Sequence, residues 1–412
     1  MPVNKSLIVA LMLLFLPLVL TAQNTNSPYS RYGYGIQEYP ALGKSRAMGG
    51  ISLGIRDNGM INPANPASFS AVDTMTFLFD FGVSASYSTF KENDVRQSNP
   101  NGSIDYVAMK IPLKKYWGVA AGLIPFSKVG YSYSETSDLT DDISQTNSYV
   151  GTGGLNTIFL GTSVSLWKAL SLGVNYKYTF GTITQASSLV LTDKSSSTDP
   201  NAKNSYEYWY LNASSLDFGL QYEQKIDKKN KFVLGAMFSE NTPFNNEVYL
   251  TDVTTDTITD THKSGFELPR TLGAGVSWTY DNRLTMGVDY YTQEWSKSLL
   301  NGSKDTLSNS SRFSFGAEYL PSLMTNHYFE AVKYRFGMYY SNTYNKFPDG
   351  ELKNIGVTLG VGLPLPKQRS TLNLSFEAGR YLVPTSQYIH ENYYKISLDV
   401  TFNETWFFKR KL

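Results

Sequence analysis

Cysteine is absent from this 412-residue chain, and histidine occurs only three times. Without cysteine the chain has no disulfide framework and no N-terminal site for a lipid anchor. His262, His327 and His390 fall in separate predicted loops and turns, and no G-x-S-x-G or H-E-x-x-H motif accompanies them. We therefore predict that the protein is not an enzyme and needs no metal or cofactor.

An excess of charge of either sign is also absent. The chain has 36 Lys and Arg beside 35 Asp and Glu, and loss of an N-terminal segment containing Lys5 leaves 35 of each. Such a balance gives no electrostatic reason to expect nucleic-acid binding.

Apolar runs long enough for a helix across a bilayer are absent after residue 22. Before it, Leu7 to Leu20 follow Lys5 and precede Thr21 and Ala22, which predicts a secretory signal peptide over residues 1–22. The cleavage site is free to shift, because Leu20 is larger than the residue expected there. An exported chain with 30 Tyr and 23 Phe is therefore either a secreted all-β protein or an outer-membrane barrel.

What the sequence does contain is alternation of apolar and polar residues, from residue 74 almost to the end. This is the pattern of β-strands. The clearest pair is "TLGAGVSWTY" and "RLTMGVDYYTQEW", which the dipeptide Asp281-Asn282 joins as a hairpin. A soluble sandwich also has one polar face per sheet, so the connections have to decide between the two classes.

The predicted connections alternate between short and long. Short ones fall near residues 113–115, 167–170, 225–230, 281–282, 321–330 and 364–369, and longer polar ones near 91–101, 137–153, 186–205, 251–267, 298–308, 341–350 and 384–390. They separate 14 strands, provided that "YWGVAAGLIPFSKVGYSYSE" is one strand kinked at Pro125. This pattern favours an all-β, antiparallel transmembrane β-barrel of the bacterial outer membrane over residues 74–402.

The same pattern predicts the orientation. Short turns are periplasmic in such barrels and long loops extracellular. We expect both termini on the periplasmic side, with residues 403–412 as a periplasmic tail. The last amphipathic strand ends at Phe402 and resembles the signal that the barrel-assembly machinery recognises, so that machinery is a predicted partner during biogenesis, and outer-membrane lipids surround the barrel.

Residues 23–73 lack the alternation and are dense in Gly, Pro and Asn. Such a segment is a tail, a small separate module or a plug. A 14-stranded barrel leaves a lumen too wide for its own side chains to fill. We therefore predict that residues 23–73 form a hatch inside the lumen.

The hatch sequence "RAMGGISLGIRDNGMINPANPAS" resembles the N-terminal hatch of the FadL-type long-chain fatty acid transporters. The resemblance rests on a Gly-rich turn, an acidic residue and an Asn-Pro-Ala unit before the first strand, and it extends to "LPRTLGAGVSW" and the strand that Trp295 closes. It implies a monomeric 14-stranded barrel that moves hydrophobic small molecules or lipids inward by ligand binding, hatch movement and diffusion through a lateral opening.

The resemblance also implies a gate in the hatch. Spacing selects the second of two Asn-Pro-Ala units, because it stands nearer the first strand; a rigid linker without gating is the alternative. Each proline fixes its own φ and pushes the preceding Asn toward extended geometry. The predicted gate residues are Gly49, Gly50, Asp57, Asn62, Pro63, Ala64, Asn65, Pro66 and Ala67.

Two further sites are predicted. Hatch cations either bind a ligand carboxylate or pair with charges of the barrel wall; they are Arg31, Lys44, Arg46 and Arg56. Pro125 marks either a lateral opening or a kink without an opening, because proline removes a donor from the strand ladder.

Two functions are consistent with the sequence. The first is passive transport of hydrophobic molecules. The second is a structural or docking role in an outer-membrane complex for protein secretion or barrel assembly, because the loops "TDKSSSTDPNAKNS" and "TDVTTDTITDTHKSG" are polar and lack an apolar capture surface.

Overall fold

The computed structural model describes residues 26–167, 169–193, 201–252, 257–262, 265–365 and 369–405. The predicted signal peptide and residues 406–412 of the predicted tail lie outside these ranges. Among the described residues no helix is both long and apolar enough to cross a membrane.

Fourteen strands form a closed antiparallel barrel, as predicted. The last strand pairs with the first from His390↔Lys91 to Thr405↔Thr76, which closes the wall. Asn403, Glu404 and Thr405 thus extend the last strand and do not begin the predicted tail. The strands are β1 Thr76–Glu92, β2 Val95–Lys114, β3 Trp117–Asp138, β4 Ile143–Leu166, β5 Leu170–Asp193, β6 Asn201–Lys225, β7 Asn230–Ser239, β8 Thr271–Tyr280, β9 Leu284–Gln293, β10 Ser310–Tyr319, β11 Lys333–Phe347, β12 Gly350–Pro364, β13 Thr371–Leu382 and β14 His390–Thr405.

The alternation sends apolar side chains outward and polar ones into the lumen. On β6, Phe218 is 50% exposed whereas its neighbour Asp217 is 3% exposed. An apolar outer face has no favourable contact with water, and lipid is the environment that suits it. The outward faces include Leu172, Tyr176, Leu216, Leu220, Leu234, Phe313, Leu359 and Phe376.

The two ends of the barrel differ. At one, called the turn end, tight turns join β2 to β3 and β8 to β9; Asp281 and Asn282 have φ of 53° and 51°, as a two-residue hairpin turn requires. The other, called the loop end, carries the long connections 240–270 and 294–309. Short strands Asn245–Asp252 and Thr257–His262 form a hairpin that pairs with β6, and Thr242–Pro243 pairs with Glu267–Leu268.

Several predicted loops are instead parts of strands. β3 and β4 stay paired up to Asp138↔Ser144, within the segment 137–153 that was expected to be a loop, and β5 and β6 pair up to Leu191↔Asn201. Strands of 22–25 residues exceed the 9–11 or so that cross a bilayer. Their outer halves have no lipid-facing side, so the apolar alternation that marks a strand fades there.

The described part of the predicted hatch, residues 26–73, lies inside the barrel. It contains 3₁₀ turns at Pro28–Arg31, Gly43–Met48 and Pro66–Ser70; two others, Trp295–Lys297 and Tyr328–Glu330, lie in connections. Asn26 donates to Asn101 of β2 and Ser27 to Glu391 of β14, both toward the loop end. The first described residues thus lie at the loop end, and the periplasmic position expected for both termini stays a prediction.

Glycines on eight wall strands receive the hatch. A Cβ at Gly235 would lie 1.8 Å from the Leu53 carbonyl oxygen, and one at Gly337 would lie 2.0 Å from the Gly49 nitrogen. No side chain fits at such distances, so the hatch backbone packs directly on the wall backbone. This glycine belt consists of Gly118, Gly173, Gly219, Gly235, Gly275, Gly316, Gly337 and Gly360, and it meets hatch residues between Ala47 and Phe69.

Replacing Gly235 by Ala tests whether the hatch depends on the belt. We expect the barrel to form and the hatch to be displaced, at a cost of about 1 to 3 kcal/mol for overpacking. Limited proteolysis of hatch residues in the folded, purified protein measures this. Gly59→Ala is the control, because a Cβ there meets its nearest atom, Asp57 Oδ1, at 3.5 Å. Equal resistance of the two variants to protease would contradict the role of the belt.

Candidate functional site: hatch, cavities and wall gap

Buried wall side chains hold the hatch backbone. Lys110 of β2 is fully buried and donates to the carbonyl oxygens of Met60 and, at 3.0 Å, Ala71. Gln221 of β6 donates to Leu53 and Ile55, each at 3.0 Å. These bonds satisfy hatch carbonyl groups that have no strand partner, since a buried polar group left unpaired is costly.

The second Asn-Pro-Ala unit is packed against the wall. The Asn65 amide donates to Leu53 O at 2.9 Å and to Leu220 O at 3.2 Å, and its oxygen accepts from Ala67 N at 3.1 Å. Asn65 thereby caps the 3₁₀ turn that Pro66 begins. Ala67 O accepts from Ser163 of β4 at 3.1 Å. The gate role of this unit stays a prediction, and its contacts are those of a fixed anchor.

The first unit faces the lumen. Asn62 donates to Ser52 O at 2.6 Å, and Pro63 O accepts from Asn175 of β5 at 3.1 Å. Pro63 and Ala64 line a cavity. This unit is also among the predicted gate residues, although spacing selects the second unit as the gate, and its gate role stays a prediction. The structure places it between the wall and the open space of the lumen.

The other predicted gate residues lie apart from the two units. Gly49 and Gly50 both have positive φ, 66° and 88°, and Gly49 N donates to Thr358 of β12 at 2.9 Å. Asp57 pairs with Lys44 inside the hatch. These contacts fix the fold of the hatch around its Gly-rich turn.

Three of the four predicted carboxylate-binding cations pair with acidic side chains. Lys44 lies 3.6 Å from Glu318, Arg46 pairs with Asp105, and Arg56 lies 3.9 Å from Glu223. Their geometry fits the alternative of pairing with charges of the wall.

Arg31 is the exception. Among the described residues it has no carboxylate within ion-pair distance; its guanidinium stacks on Tyr149 at 3.8 Å and donates to Tyr133. A ligand role for all four cations remains a prediction, and Arg31 is the one whose charge has no acidic partner in that part of the chain.

The hatch carboxyl groups are held ionised. Burial raises the pKa of Glu38, but the charges of Lys128 and Lys395 outweigh it and bring the pKa down to about 2. The pKa of Asp57 is likewise held well below its ordinary value; burial opposes this, and Lys44 overcomes it. Both side chains therefore carry charge at neutral pH. Glu38 holds the hatch to Lys128 and Lys395 of the wall, and Asp57 holds Lys44 within the hatch.

The wall has a gap between β2 and β3. Their pairing runs from Lys114↔Trp117 to Val107↔Leu123 and stops there; beyond it, residues 95–106 and 124–138, all described, are not paired with each other. β3 also has an irregularity between Pro125 and Ser127 in its pairing with β4. The last pair thus lies two residues before Pro125, and proline lacks a ladder donor. Its function as a lateral opening remains a prediction.

A short hatch strand covers the free edge of β3. Ile36 pairs with Lys128 and Gln37 with Ser127, and Glu38 N donates to Phe126 O at 3.0 Å. Lys128 also crosses the gap: its Nζ lies 3.0 Å from Ser103 Oγ, 3.3 Å from Glu38 Oε1 and 3.6 Å from Asp105 Oδ1. The hatch and one lysine therefore close what the wall leaves open.

Two cavities lie on either side of this hatch strand. The first has a volume of about 180 Å³ and is called the apolar cavity because more of its surface is apolar than polar. Its lining includes Ile124, Phe126, Phe159, Met237 and Leu268, together with polar side chains such as Asn175, Lys177 and Asp217. The second, the polar cavity, has about 190 Å³, and its lining includes Ser84, Ser86, Ser88, Asn101 and Lys395. Residues 36–39 and Arg312 line both, so the hatch strand is the partition between them.

An aromatic cluster lies between the apolar cavity and the loop end. Trp295 is fully buried, and its ring is 5.4 Å from Tyr34 and 5.1 Å from Tyr344. Phe266 packs 5.1 Å from Trp209. Burying each large apolar side chain stabilises by roughly 1.5 to 3 kcal/mol, whereas a hydrogen bond of the hatch strand contributes about 0.5 to 1.5. A single backbone hydrogen bond of the hatch strand therefore contributes less than a single buried ring of the cluster.

Comparison with known proteins identifies the family. The sequence matches BamG over residues 3–412. The chain belongs to the BamG family. No curated protein matches this BamG-family chain.

Solved structures share the fold of this BamG-family barrel. A Pseudomonas aeruginosa FadL homologue superposes with a TM-score of 0.56 at 11% identity, over 89% of this chain and 99% of that one. The Pseudomonas putida toluene transporter TodX gives 0.55 at 16% identity, over 93% and 100%. The Ralstonia pickettii toluene transporter TbuX gives 0.55 at 14%, over 90% and 99%. At these identities the likeness shows the fold alone.

Sequence reasoning missed two cations of the BamG-family lumen. Arg312 stacks 3.7 Å from the Tyr339 ring and, among the described residues, pairs with no carboxylate. Lys128 bridges the gap. Both cations stand at inward positions of strands, and the alternation of apolar and polar residues could have identified these positions. The alternation does not indicate which side chain lies across the lumen from them.

Acidification tests the charges that hold the hatch. Because the pKa of Glu38 is lowered from 4.5 to about 2, its contribution to stability is full above pH 4.5 and is lost as the pH falls through 2. We expect the hatch to loosen over this window by roughly 1 to 3 kcal/mol. Proteolysis with an acid-active protease measures this, and Glu38→Gln should flatten the dependence. An unchanged profile in that variant would refute the assignment.

Proposed function

We propose that this protein is a passive outer-membrane channel for hydrophobic small molecules. The ligand binds in the apolar cavity, the hatch strand Ile36–Gln37 moves, and the ligand diffuses sideways through the gap between β2 and β3. The observation that carries the proposal is an apolar cavity beside a break in the wall.

The physical logic follows from the cost of hydrating an apolar molecule. Each CH₂ group moved from apolar surroundings into water costs about 0.8 kcal/mol. A channel for such a cargo gains from an apolar pocket and an exit into the membrane. Ile124, Pro125 and Phe126 line the cavity and lie directly at the gap, which gives this route the required continuity.

Cavity size supports movement of the hatch strand. Ligand pockets commonly measure about 300 to 1,000 Å³, and neither the apolar cavity, at about 180 Å³, nor the polar cavity, at about 190 Å³, reaches that range. Release of residues 36–39 joins the two. Two of the neighbouring structures are toluene transporters, which supports a hydrophobic cargo for this channel.

The orientation belongs to the same proposal. The turn end faces the periplasm and the loop end faces the outside, with outer-membrane lipid around the wall and the barrel-assembly machinery acting during biogenesis. Arg312, which lines both cavities, is a candidate for contact with a polar group of the cargo.

The second candidate function is a structural or docking role in an outer-membrane complex for secretion or barrel assembly. The closure of the lumen by the hatch and the aromatic cluster supports it, because a structural barrel needs no open path. Mass spectrometry of ligands retained from mixed lipids separates the two: absence of ligand together with a stoichiometric membrane-protein partner would refute transport.

Filling the apolar cavity should block the cargo. Ser215 of β6 lines this cavity, is 6% exposed, and its hydroxyl has no hydrogen-bond partner among the described residues. Ser215→Phe should reduce uptake of toluene or oleate into proteoliposomes several-fold. The neighbouring Ser214 points outward, so Ser214→Phe is the control and should retain uptake. Equal uptake by both variants would contradict a route through this cavity.

Asn65→Ala tests the predicted gate. The substitution removes the bonds to Leu53, Leu220 and Ala67. If the unit gates transport, permeation changes while the barrel folds normally, as circular dichroism and uptake measure together. Asn58→Ala, at an exposed hatch position, is the control. If folding alone suffers, the unit is a linker or anchor and the gate prediction is wrong.

A further inference from the structure

The apolar cavity has three possible entrances, and they differ in how firmly they are closed. One leads past the aromatic cluster to the loop end, one leads past the hatch to the turn end, and one leads sideways through the wall gap into the membrane. Two of these entrances lead from the aqueous ends of the barrel and one leads from the membrane. The entrance in use therefore determines whether the ligand comes from water or from lipid.

The loop end is closed by rings from five separate segments. Tyr34 comes from the hatch, Trp209 from β6, Tyr344 from β11, and Phe266 and Trp295 from the two long connections. Trp295 and Tyr34 are 0% exposed and Phe266 is 1% exposed. A ligand from the aqueous side has to separate all of these contacts at once.

The turn end is closed by the hatch between Ala47 and Ala71. Its backbone lies against the glycine belt, and Lys110 and Gln221 bind its carbonyl groups. This closure is distributed over most of the wall.

The gap is closed by a smaller set of contacts than either end of the barrel. It is spanned by the two register pairs of Ile36 and Gln37, one further backbone bond, and the side chain of Lys128 with its partners Ser103 and Glu38. Toward the loop end, the Ser30 hydroxyl adds one bond to Gly130 O and one from Gly130 N, each 3.0 Å long. Where the gap begins, the outer surface is apolar: Ile104 is 59% exposed on the β2 side and Leu123 is 39% exposed on the β3 side. Lipid therefore touches the weakest of the three closures.

We propose that the lumen is loaded from the membrane, through the gap between β2 and β3, and that its ligand is a membrane lipid with an acyl chain and a polar head. The inference rests on the proposed function, because it assumes that the lumen binds a hydrophobic ligand. The proposed function uses this gap as an exit, and the present inference makes it the entrance as well.

The two cavities match the two parts of such a lipid. The apolar cavity, with Phe126, Phe159 and Met237, suits the chain. The polar cavity, lined by hydroxyl groups and by charges of both signs, suits the head; its charged lining residues are Arg46, Lys128, Arg312 and Lys395 beside Glu38, Glu377 and Glu391. When residues 36–39 move, the joined space opens beside the gap.

A pair of cysteine locks tests this route, and the absence of native cysteine makes each lock unambiguous. Gln37→Cys with Ser127→Cys ties the hatch strand to β3 at a register pair. Ser70→Cys with Ser165→Cys is the matched control; it ties the far end of the hatch to β4, where the two hydroxyl oxygens are 3.2 Å apart.

Both proteins are reconstituted into phosphatidylethanolamine and phosphatidylglycerol vesicles, and exchange of the bound lipid for deuterated lipid is followed by native mass spectrometry. Oleate added to the aqueous phase forms a second arm. We expect oxidation of the Gln37→Cys/Ser127→Cys lock to slow lipid exchange at least tenfold, reduction to restore it, and the control lock to leave it unchanged.

Two results would overturn the proposal in different ways. Unchanged exchange with the gap locked, or binding of aqueous oleate through a locked gap, would refute loading from the membrane and leave the proposed function standing. Absence of any bound ligand in the reduced, unlocked protein would refute the proposed function, and this inference would fall with it.

Discussion

The width of the lumen is the constraint on which the rest of the structure depends. Fourteen strands enclose more space than their inward side chains can fill, so the hatch has to supply the missing core. It does so with backbone in place of side chains, which is why glycine occupies inward positions such as Gly235 and Gly337. Hatch charges enter the same confined space and are paired there, as Arg46 is with Asp105, because an unpaired buried charge is costly.

The hatch covers strand edges that the wall gap leaves unpaired. In a bilayer, backbone N–H and C=O groups need internal partners, so a wall that splits between β2 and β3 is tolerable only if something else covers the edges. Ile36 and Gln37 cover part of β3, and Lys128 binds across to Ser103. A change in hatch position therefore changes the exposure of the wall edges directly, without any relay through the barrel.

Much of the fold could be predicted from sequence because lipid enforces a strict alternation. Outward residues such as Leu216, Phe218 and Leu220 mark the strands of the membrane-spanning wall, and their spacing yields 14 strands. Beyond the bilayer a strand has no lipid-facing side, and the alternation is lost. Residues 137–153 are therefore predicted as a loop, yet β3 and β4 remain paired there. The ion pairs of the lumen depend on strand positions around the barrel, so the partnership of Lys128 with Glu38 has no local signal.

The two Asn-Pro-Ala units have the same sequence but different contacts in the structure. The second unit is fixed by β4 and β6 and by the glycines against which it packs, whereas the first places Pro63 and Ala64 at the apolar cavity. The belt contacts start at Ala47 and include the second unit, but residues 36–39 precede them and rest on few bonds. A hatch movement of the kind proposed above would therefore begin before Ala47, and the stiff prolines favour a fixed second half of the hatch.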